Sequence, residues 1–400
     1  MKKIIAYTFL VGLCFSLLSC GGEKKEVLYQ IPADIKIKEC SPIFSQDCEH
    51  FAAIKEEMEG EAVIYDGEVG KVYTAIDAIS LSPSGKNFAY LAVDGKNEVI
   101  VKDGKEIAKY SYKTVIKSED RRKTLQFLDD GSLIFTKKEP KKMKKVIKDG
   151  KPIDGSPYSA KPEVSKDGKH LLYWVVDGTG DFLVFDGKRH KIDGLPLFLS
   201  ISGDGEHYGA VVSNGKTKKS VIIDGNKKAT LDSKNPVEYF LLSEKGDHFI
   251  VLQRDITTNE IKVKFDGVVV AVANKVFTNS VAFSKDDLHY AFIMIKPRVK
   301  RASIVLDGEE IPSFDPDFST INECFGEGRS LVFSPDDEHL LYVAGTGTNQ
   351  ILAFDQKVFL RFDLYNTVIY QPFFSPEGDV ICFFMDKLNK QLAKIKKEIK

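Results

Sequence analysis

The chain has 400 residues, of which 43% are hydrophobic and 29% charged, and its formal net charge is −1 at pH 7. This near-neutral balance argues against a dedicated nucleic-acid binder, and the apolar fraction is sufficient for a large buried core. Beyond the first twenty residues no segment approaches eighteen consecutive apolar residues, so the remainder of the chain is not expected to span a bilayer.

The first twenty residues have the layout of an export signal. Two lysines precede the apolar residues 4–18, and the stretch ends in Leu17-Leu18-Ser19-Cys20. It resembles a bacterial lipoprotein signal, which implies that residues 1–19 are removed and that Cys20 carries diacylglycerol and an acyl chain such as palmitate. Gly21 is not the aspartate of an inner-membrane retention signal, so the outer membrane is the expected location if the cell has one. The alternative is an ordinary signal peptide or an uncleaved anchor.

Residues 20–60 are expected to lie outside the repeating fold, as a lipidated tether followed by a short cysteine-containing segment. Residues 23–38 are predicted to be the tether. Cys40 and Cys48 bracket a short loop and are expected to form a disulfide in an oxidising envelope, with two unpaired thiols as the alternative. Residues 47–60 predict a helix, because apolar residues such as Phe51, Ile54 and Met58 are spaced to cover one side.

One short phrase recurs from residue 82 onward. It reads approximately Phe/Leu-Ser-Pro-Asp-Gly-x-His and precedes an apolar run that ends in an aromatic residue. Its serine position, degenerate in the second copy, falls at Ser82, Leu128, Ser165, Ser202, Ser243, Ser284, Ser334 and Ser375. A repeat of about 42 residues, with strand-forming and turn-forming residues in every unit, predicts a β-propeller.

Each unit predicts four strands, named A to D. In the third unit, turn residues 165–169 precede a buried-strand run over 171–176, and a strand over 182–185 precedes Asp186-Gly187, a strong hairpin signal. The repeated phrase is therefore the A–B turn, and Asp-Gly is the C–D turn. In a propeller these turns share one face, here called the turn face, and the B–C and D–A loops share the opposite loop face.

The number of turns predicts eight blades. C–D turns occur at Asp66-Gly67, Asp103-Gly104, Asp149-Gly150, Asp186-Gly187, Asp224-Gly225, Asp266-Gly267, Asp307-Gly308 and Asp355-Gln356. The first of these precedes every A–B turn, so residues 63–73 are expected to complete the blade that begins at residues 372–384. The predicted fold is all-β: a single monomeric propeller over residues 61–390, with eight four-stranded blades closed by strands from both termini. Seven blades is the alternative.

The last residues, 391–400, are expected to form a basic tail. Leu388, Leu392, Ile395 and Ile399 recur at helical spacing between lysines. The segment is either a short amphipathic helix or, as we favour, an extra strand with a solvated end.

The Ser-Pro-Asp-Gly phrase, the strand with an aromatic end and the later Asp-Gly resemble the TolB-type, WD-like propeller repeats of exported bacterial proteins. The resemblance covers residues 61–390 and implies the propeller fold, but propellers host enzymes, scaffolds and ligand binders alike. Some units depart from the pattern, since Asp287 and Asp337 replace the glycine and Gly203 replaces the proline.

The histidines do not predict a metal site, and no cofactor is expected. Five of the seven share one repeat position, which places each in a different blade: His170, His207, His248, His289 and His339. We expect each to form hydrogen bonds beside its A–B turn, where aspartates cap backbone amides. No Gly-x-Ser-x-Gly, His-Glu-x-x-His or phosphate-binding glycine motif occurs, so catalysis is not predicted.

Charge segregates by loop class, with acidic A–B turns and basic B–C loops. The candidate binding residues of the loop face are Lys137, Lys138, Lys141, Lys142, Lys144, Lys145, Lys216, Lys218, Lys219, Lys296, Arg298, Lys300 and Arg301. We predict that this face binds an anionic partner: an envelope protein, a membrane surface or a polysaccharide. Charge placed only for solubility is the alternative.

The predicted function is a non-catalytic, lipid-anchored propeller that binds proteins or acts as a scaffold in the bacterial cell envelope. The alternative is a ligand or carbohydrate binder, or an enzyme acting on glycans, with its site in the central funnel.

Overall fold

The described residues of the computed structural model form nine antiparallel sheets, each of which is one blade of a propeller. The structure describes residues 23–39, 41–117, 121–215, 218–298, 302–311, 318–320, 330–346, 349–355, 357–363, 365–375 and 377–398. In this part of the chain no helix is long and apolar enough to cross a membrane.

Within the described ranges, thirty-eight strands, numbered in chain order, build the blades. The first strand, β1 (Glu23–Gln30), belongs to blade 9. Blade 1 contains β2 (Lys36–Ile37), β3 (Ile43–Phe44), β4 (Phe51–Glu57), β5 (Gly60–Tyr65) and β6 (Glu68–Val69). Blade 2 contains β7 (Ala75–Leu81), β8 (Phe88–Asp94), β9 (Asn97–Lys102) and β10 (Lys105–Ser111). Blade 3 contains β11 (Leu125–Phe127), β12 (Leu133–Lys138), β13 (Lys144–Lys148) and β14 (Lys151–Pro152).

The next three blades are regular. Blade 4 contains β15 (Tyr158–Val164), β16 (Leu171–Asp177), β17 (Gly180–Phe185) and β18 (Lys188–Ile192). Blade 5 contains β19 (Leu195–Ile201), β20 (Tyr208–Ser213), β21 (Lys219–Ile223) and β22 (Asn226–Leu231). Blade 6 contains β23 (Val237–Leu242), β24 (Phe249–Arg254), β25 (Ile261–Phe265) and β26 (Val268–Ala273).

The last three blades lead to the closure of the ring. Blade 7 contains β27 (Lys275–Phe283), β28 (Tyr290–Ile295), β29 (Ala302–Leu306) and β30 (Glu309–Ile311). Blade 8 contains β31 (Phe318–Thr320), β32 (Leu331–Phe333), β33 (Leu340–Thr346), β34 (Asn349–Phe354) and β35 (Lys357–Asp363). Blade 9 contains β36 (Thr367–Phe374), β37 (Val380–Asp386), β38 (Gln391–Lys397) and β1. Short 3₁₀ turns lie at Arg121–Thr124 and Pro140–Lys142.

Strand A is the innermost strand, because the A strands of most successive blades contact one another. In blades 1 and 8 this strand is split in two, so that β2 and β3 both pair with β4, and β31 and β32 both pair with β33. The weak unit around Leu128 is a true blade, since β11 to β14 form one sheet.

The prediction of eight blades, and the alternative of seven, is wrong because a ninth copy of the repeat escaped notice. Its A–B turn is Phe44-Ser45-Gln46-Asp47-Cys48-Glu49-His50, where glutamine replaces proline and cysteine replaces glycine. Cys48 has φ of 62°, in the same left-handed region as Gly168 at 80°. The predicted helix over residues 47–60 is strand β4 instead. Its residues from Phe51 to Ile54 are all buried, as in a strand covered by blades on both sides.

Both termini do close the ring, but not as expected. Strand β1 is the outermost strand of blade 9 and pairs with β38, from Glu23 opposite Lys397 to Gln30 opposite Gln391. The predicted tether over residues 23–38 therefore begins inside the propeller, and the propeller boundary at residue 61 is too late. Residues 63–65 pair with β4 in blade 1 and not with the terminal blade. Of the two alternatives for the C-terminal segment, the favoured strand is the one observed.

Candidate functional site

In six of the nine blades, a histidine holds the A–B turn and the C–D turn together. Each histidine places Nδ1 2.5–2.7 Å from a carboxylate oxygen of the aspartate in the C–D turn of the same blade. The pairs are His50–Asp66, His170–Asp186, His207–Asp224, His248–Asp266, His289–Asp307 and His339–Asp355. The predicted hydrogen-bonding role is confirmed. His50 is a sixth member that the degenerate first repeat concealed.

The serine and aspartate of the A–B turn complete this arrangement. In blade 4, Ser165 Oγ accepts a hydrogen bond from the backbone N–H of His170 at 2.9 Å and donates one to Asp167 at 2.6 Å. Asp167 in turn accepts the N–H of Lys169 at 3.0 Å, which confirms the predicted capping of backbone amides. The repeated chemistry of the turn face therefore supports the fold.

Charged side chains beside the innermost strands are neutralised by close partners. Asp77 lies 2.5 Å from the ammonium of Lys117, and Glu163 lies 2.9 Å from that of Lys123. Glu238 forms a two-nitrogen ion pair with Arg254 across β23 and β24. The carboxylates of Asp77, Glu163 and Glu238 are thus each engaged by a cation.

A cavity of about 490 Å³ lies between blades 7 and 8 on the turn face. Its floor includes Leu306 of blade 7 and Leu340 of blade 8. At the equivalent positions of the interface between blades 6 and 7, Phe265 stacks on Tyr290 with ring centroids 4.4 Å apart. Two leucines leave space that two aromatic rings fill. The rim carries the carboxylates Asp286, Asp307, Asp336, Asp337, Glu338 and Asp355.

Three groups of blade 8 could offer ligands to a metal ion. The ligand atoms of Asp336, Glu338 and His339 lie within 4.8 Å of one another. The Nδ1 atom of His339 is hydrogen-bonded to Asp355, so only Nε2 is available to coordinate a metal ion. This group comes from one turn and does not unite the equivalent histidines of different blades.

The described members of the thirteen predicted basic residues lie in or beside the B–C loops of blades 3, 5 and 7. Lys216, Lys300 and Arg301 lie outside the described residues, as does the side chain of Lys142. In blade 5, the ammonium of Lys219 donates to the backbone oxygens of Ser233 and Asn235. In blade 7, Lys296 forms an ion pair with Glu310. Lys218 and Arg298 border these two loops.

Blade 3 concentrates the remaining lysines on one hairpin. Strands β12 and β13 place Lys137 directly opposite Lys145, and Lys138 directly opposite Lys144. Lys137 has a partner in Glu139, at 2.9 Å. Among the described side chains, no carboxylate pairs with Lys138, Lys141, Lys144 or Lys145. Directly opposed like charges destabilise a sheet, so the hairpin keeps this arrangement at a cost in stability.

The loop that enters blade 3 lies against this hairpin. The N–H of Ile116 donates to Thr136 O at 2.8 Å, and the buried carboxylate of Glu98 accepts the N–H of Val115 at 2.8 Å. Tyr112 is 48% exposed, and the ammonium groups of Lys113 and Lys117 lie 5.6 and 5.5 Å from its ring centroid. Residues 112–117 and 137–145 are here called the blade 3 patch.

Exposed apolar side chains accompany the patch on the loop face. They lie at the ends of B–C and D–A loops in six places: Met58, Tyr112, Leu195, Ile256, Tyr365 and Leu388. On the turn face, Leu288 and Val268 are 74% and 67% exposed, and Val69 and Val269 beside the C–D turns are also exposed. Sequence reasoning missed these exposed side chains because exposure depends on which loops lack a covering neighbour.

The cysteine predictions have different outcomes. Cys382 is fully buried in blade 9 as a core thiol. Cys48 is buried in the A–B turn of blade 1. Cys20 and Cys40 lie outside the described residues, so the lipidation and the disulfide stay predictions.

Comparison with known proteins gives similarity of fold alone. No family model matches the chain, and no curated protein matches it in sequence. Among solved structures, a eukaryotic initiation factor is 11% identical over 92% of this chain and 88% of its own, with a TM-score of 0.45. The hydrazine synthase of Kuenenia stuttgartiensis is 13% identical over 83% and 98%, with a TM-score of 0.38. TolB of Acinetobacter baumannii is 19% identical over 48% and 53%, with a TM-score of 0.30.

Proposed function

We propose that the chain is a non-catalytic, lipid-anchored propeller of the bacterial envelope that binds a protein partner through its loop face. The observation that carries this proposal is the coincidence, on one face, of lysines without carboxylate partners and exposed apolar side chains.

The mixture of side chains favours a protein with an acidic surface over a polysaccharide or a lipid surface. Lysines steer an anionic partner toward the patch, and exposed apolar side chains such as Tyr112 and Ile256 supply area that a protein interface can bury. A polysaccharide or a lipid surface that binds through charge alone would need only the lysines and not the exposed apolar side chains. We expect the propeller to act as a monomer and to bind no nucleic acid.

The anchor and the location are supported by the sequence of the first twenty residues. The basic start, the short apolar stretch and the cysteine at position 20 form the lipoprotein pattern described above. The expected location is the outer membrane if the cell has one.

The test compares partners captured by crosslinking in intact cells. Lys138→Glu, Lys141→Glu and Lys145→Glu together remove most of the positive charge of the patch and replace each opposed lysine pair with an attractive pair, so this variant should remain folded. The matched control reverses three exposed lysines of the turn face: Lys151, Lys188 and Lys227. The proposal predicts a partner protein that the control retains and the patch variant loses. Equal capture by both variants contradicts it, as does patch-dependent binding to anionic vesicles without a protein partner. Cys20→Ala separately tests the anchor.

The cavity between blades 7 and 8 favours a second candidate function, the binding of a small ligand. Its apolar floor and acidic rim fit an organic cation better than the neutral or anionic glycans considered for the central funnel. Leu306→Phe should narrow the cavity at its floor, as the aromatic ring of Phe265 does at the preceding interface. A ligand that raises the melting temperature of the wild type and not of this variant supports this candidate. If the ligand raises the melting temperatures of the wild type and the variant equally, it binds elsewhere.

A further inference from the structure

We infer that the outer edge of blade 9 meets the anchoring bilayer and that the blade 3 patch is directed away from it. The inference rests on the proposed function, specifically on a lipid at Cys20. It decides which partners the patch can reach, because a surface facing the aqueous side meets proteins before it meets the lipid of its own membrane.

The first strand fixes the point of attachment. Only two residues, Gly21 and Gly22, separate Cys20 from β1. The first residue of β1, Glu23, lies opposite Lys397, which also lies opposite Val380. Since Val380 directly follows the A–B turn of blade 9, this end of β1 is on the turn face.

The short connection limits how the propeller can sit. Three residue steps from Cys20 to Glu23 span at most about 10 Å when fully extended. Strand β1 covers eight residues, or about 23 Å, before it reaches the loop face at Gln30. A propeller lying with its loop face on the bilayer would need a connection longer than the chain provides.

Two orientations remain, and both keep the patch away from lipid. With the turn face down, the patch is on the opposite face. With the propeller standing on its edge, blade 3 is three blades from blade 9, about 120° around a ring of nine.

The distribution of charge favours the edge of blade 9, and not the whole turn face, as the surface that contacts the bilayer. Lys24 lies directly opposite Lys396 at the attached end, and Lys25 is next to them. Lys396 has a carboxylate partner in Asp379 at 2.9 Å, whereas Lys24 is exposed and has none among the described residues. Elsewhere the turn face is rimmed by carboxylates such as Asp336 and Glu338, which anionic headgroups repel.

The test uses full-length lipidated protein on vesicles of phosphatidylethanolamine and phosphatidylglycerol that contain a headgroup-nitroxide lipid. The nitroxide quenches tryptophan near the lipid surface. Glu398→Trp places a tryptophan beside the attached end, Tyr112→Trp places one in the patch, and Leu388→Trp places one on the loop face of blade 9. Wild-type protein, whose one tryptophan is Trp174, gives the background.

The expected result is loss of fluorescence at position 398, less loss at 388 and none at 112. Quenching at 112 that equals or exceeds quenching at 398 overturns the inference, and so does the absence of quenching at all three positions on vesicle-bound protein. Flotation of wild type and Cys20→Ala distinguishes the two failures. If neither or both float, the lipid anchor of the proposed function is wrong and the inference falls with it. If only the wild type floats, the quenching pattern alone decides.

Discussion

The carboxylate of Asp287 accepts a hydrogen bond of 2.5 Å from the hydroxyl of Ser243 and thereby joins the A–B turns of blades 6 and 7. It also accepts the backbone N–H of Lys245 at 3.0 Å. Asp337 likewise accepts the N–H groups of Lys285 and Asp286 from blade 7, at 2.6 and 3.0 Å. The two departures from glycine thus place a carboxylate where it links neighbouring blades.

Replacing this carboxylate should weaken the ring. Asp287 has φ of 68°, a conformation in which glycine is unstrained, so Asp287→Gly removes the hydrogen bonds while relieving backbone strain. Hydrogen bonds to a charged group outweigh that relief, and we expect a net loss of about 2 kcal/mol in the free energy of unfolding. Urea unfolding measures it. Asp287→Asn, which keeps an acceptor, should lose less, and a glycine variant as stable as wild type contradicts the role.

The histidine pairs predict a stability that depends on pH. The hydrogen bond to Asp224 raises the pKa of His207, and the bond to Asp307 raises that of His289. A raised folded-state pKa means that the contribution is complete below about pH 6.5 and is lost as the pH rises through the folded value. In blade 2, Asn87 takes the histidine position and donates to Asp103 at 3.0 Å without titrating.

His207→Asn with His289→Asn should therefore flatten this part of the pH profile. We expect the melting temperature of wild type relative to the variant to be highest near pH 6 and to fall toward pH 9. A difference that stays constant over this range shows that the pairs do not titrate as described.

The closing strand predicts a severe effect of a short truncation. A chain that begins at Ile31 lacks β1, which exposes the edge of β38 and the side of the buried Leu392. We expect a loss above about 4 kcal/mol in unfolding free energy, with aggregation, relative to a chain that begins at Glu23. Equal unfolding midpoints would mean that residues 23–30 are the dispensable tether predicted from the sequence.

The opposed lysines predict a gain in stability from charge reversal. Lys138→Glu and Lys145→Glu each turn a repulsive cross-strand pair into an attractive one. We expect about 0.5 kcal/mol from each pair, seen as a higher melting temperature at low salt that shrinks in high salt. Lys188→Glu, outside any lysine pair in the described residues, is the control. A fall in stability with both reversals shows that the pairs do not repel.

Local turn chemistry made most of the fold predictable, whereas long-range pairing did not. Aspartate-glycine turns and serine-histidine turns can be recognised from a few consecutive residues, so blades 2 to 8 could be predicted. The first blade escaped because Cys48 occupies the left-handed position that glycine usually marks. Strand β1 escaped because its partner, β38, lies at the other end of the chain.

The candidate site was predictable only in outline. The lysine-rich stretch 137–145 was visible, but its directly opposed pairs depend on the register of β12 and β13. Ion pairs between separate strands, such as that of Lys296 with Glu310, were hidden in the same way. Met58, assigned to the buried side of a helix, is fully exposed in the turn between β4 and β5.

Site-specific photocrosslinking in intact cells tests the central claim most directly. A photoreactive phenylalanine derivative replaces Tyr112 in the blade 3 patch, and in a control it replaces Leu288 on the turn face. The account predicts a discrete protein adduct from position 112 that disappears when Lys138, Lys141 and Lys145 are reversed, and none from position 288. The same adduct from both positions, or an adduct from position 288 alone, contradicts the assignment of the loop face as the binding surface.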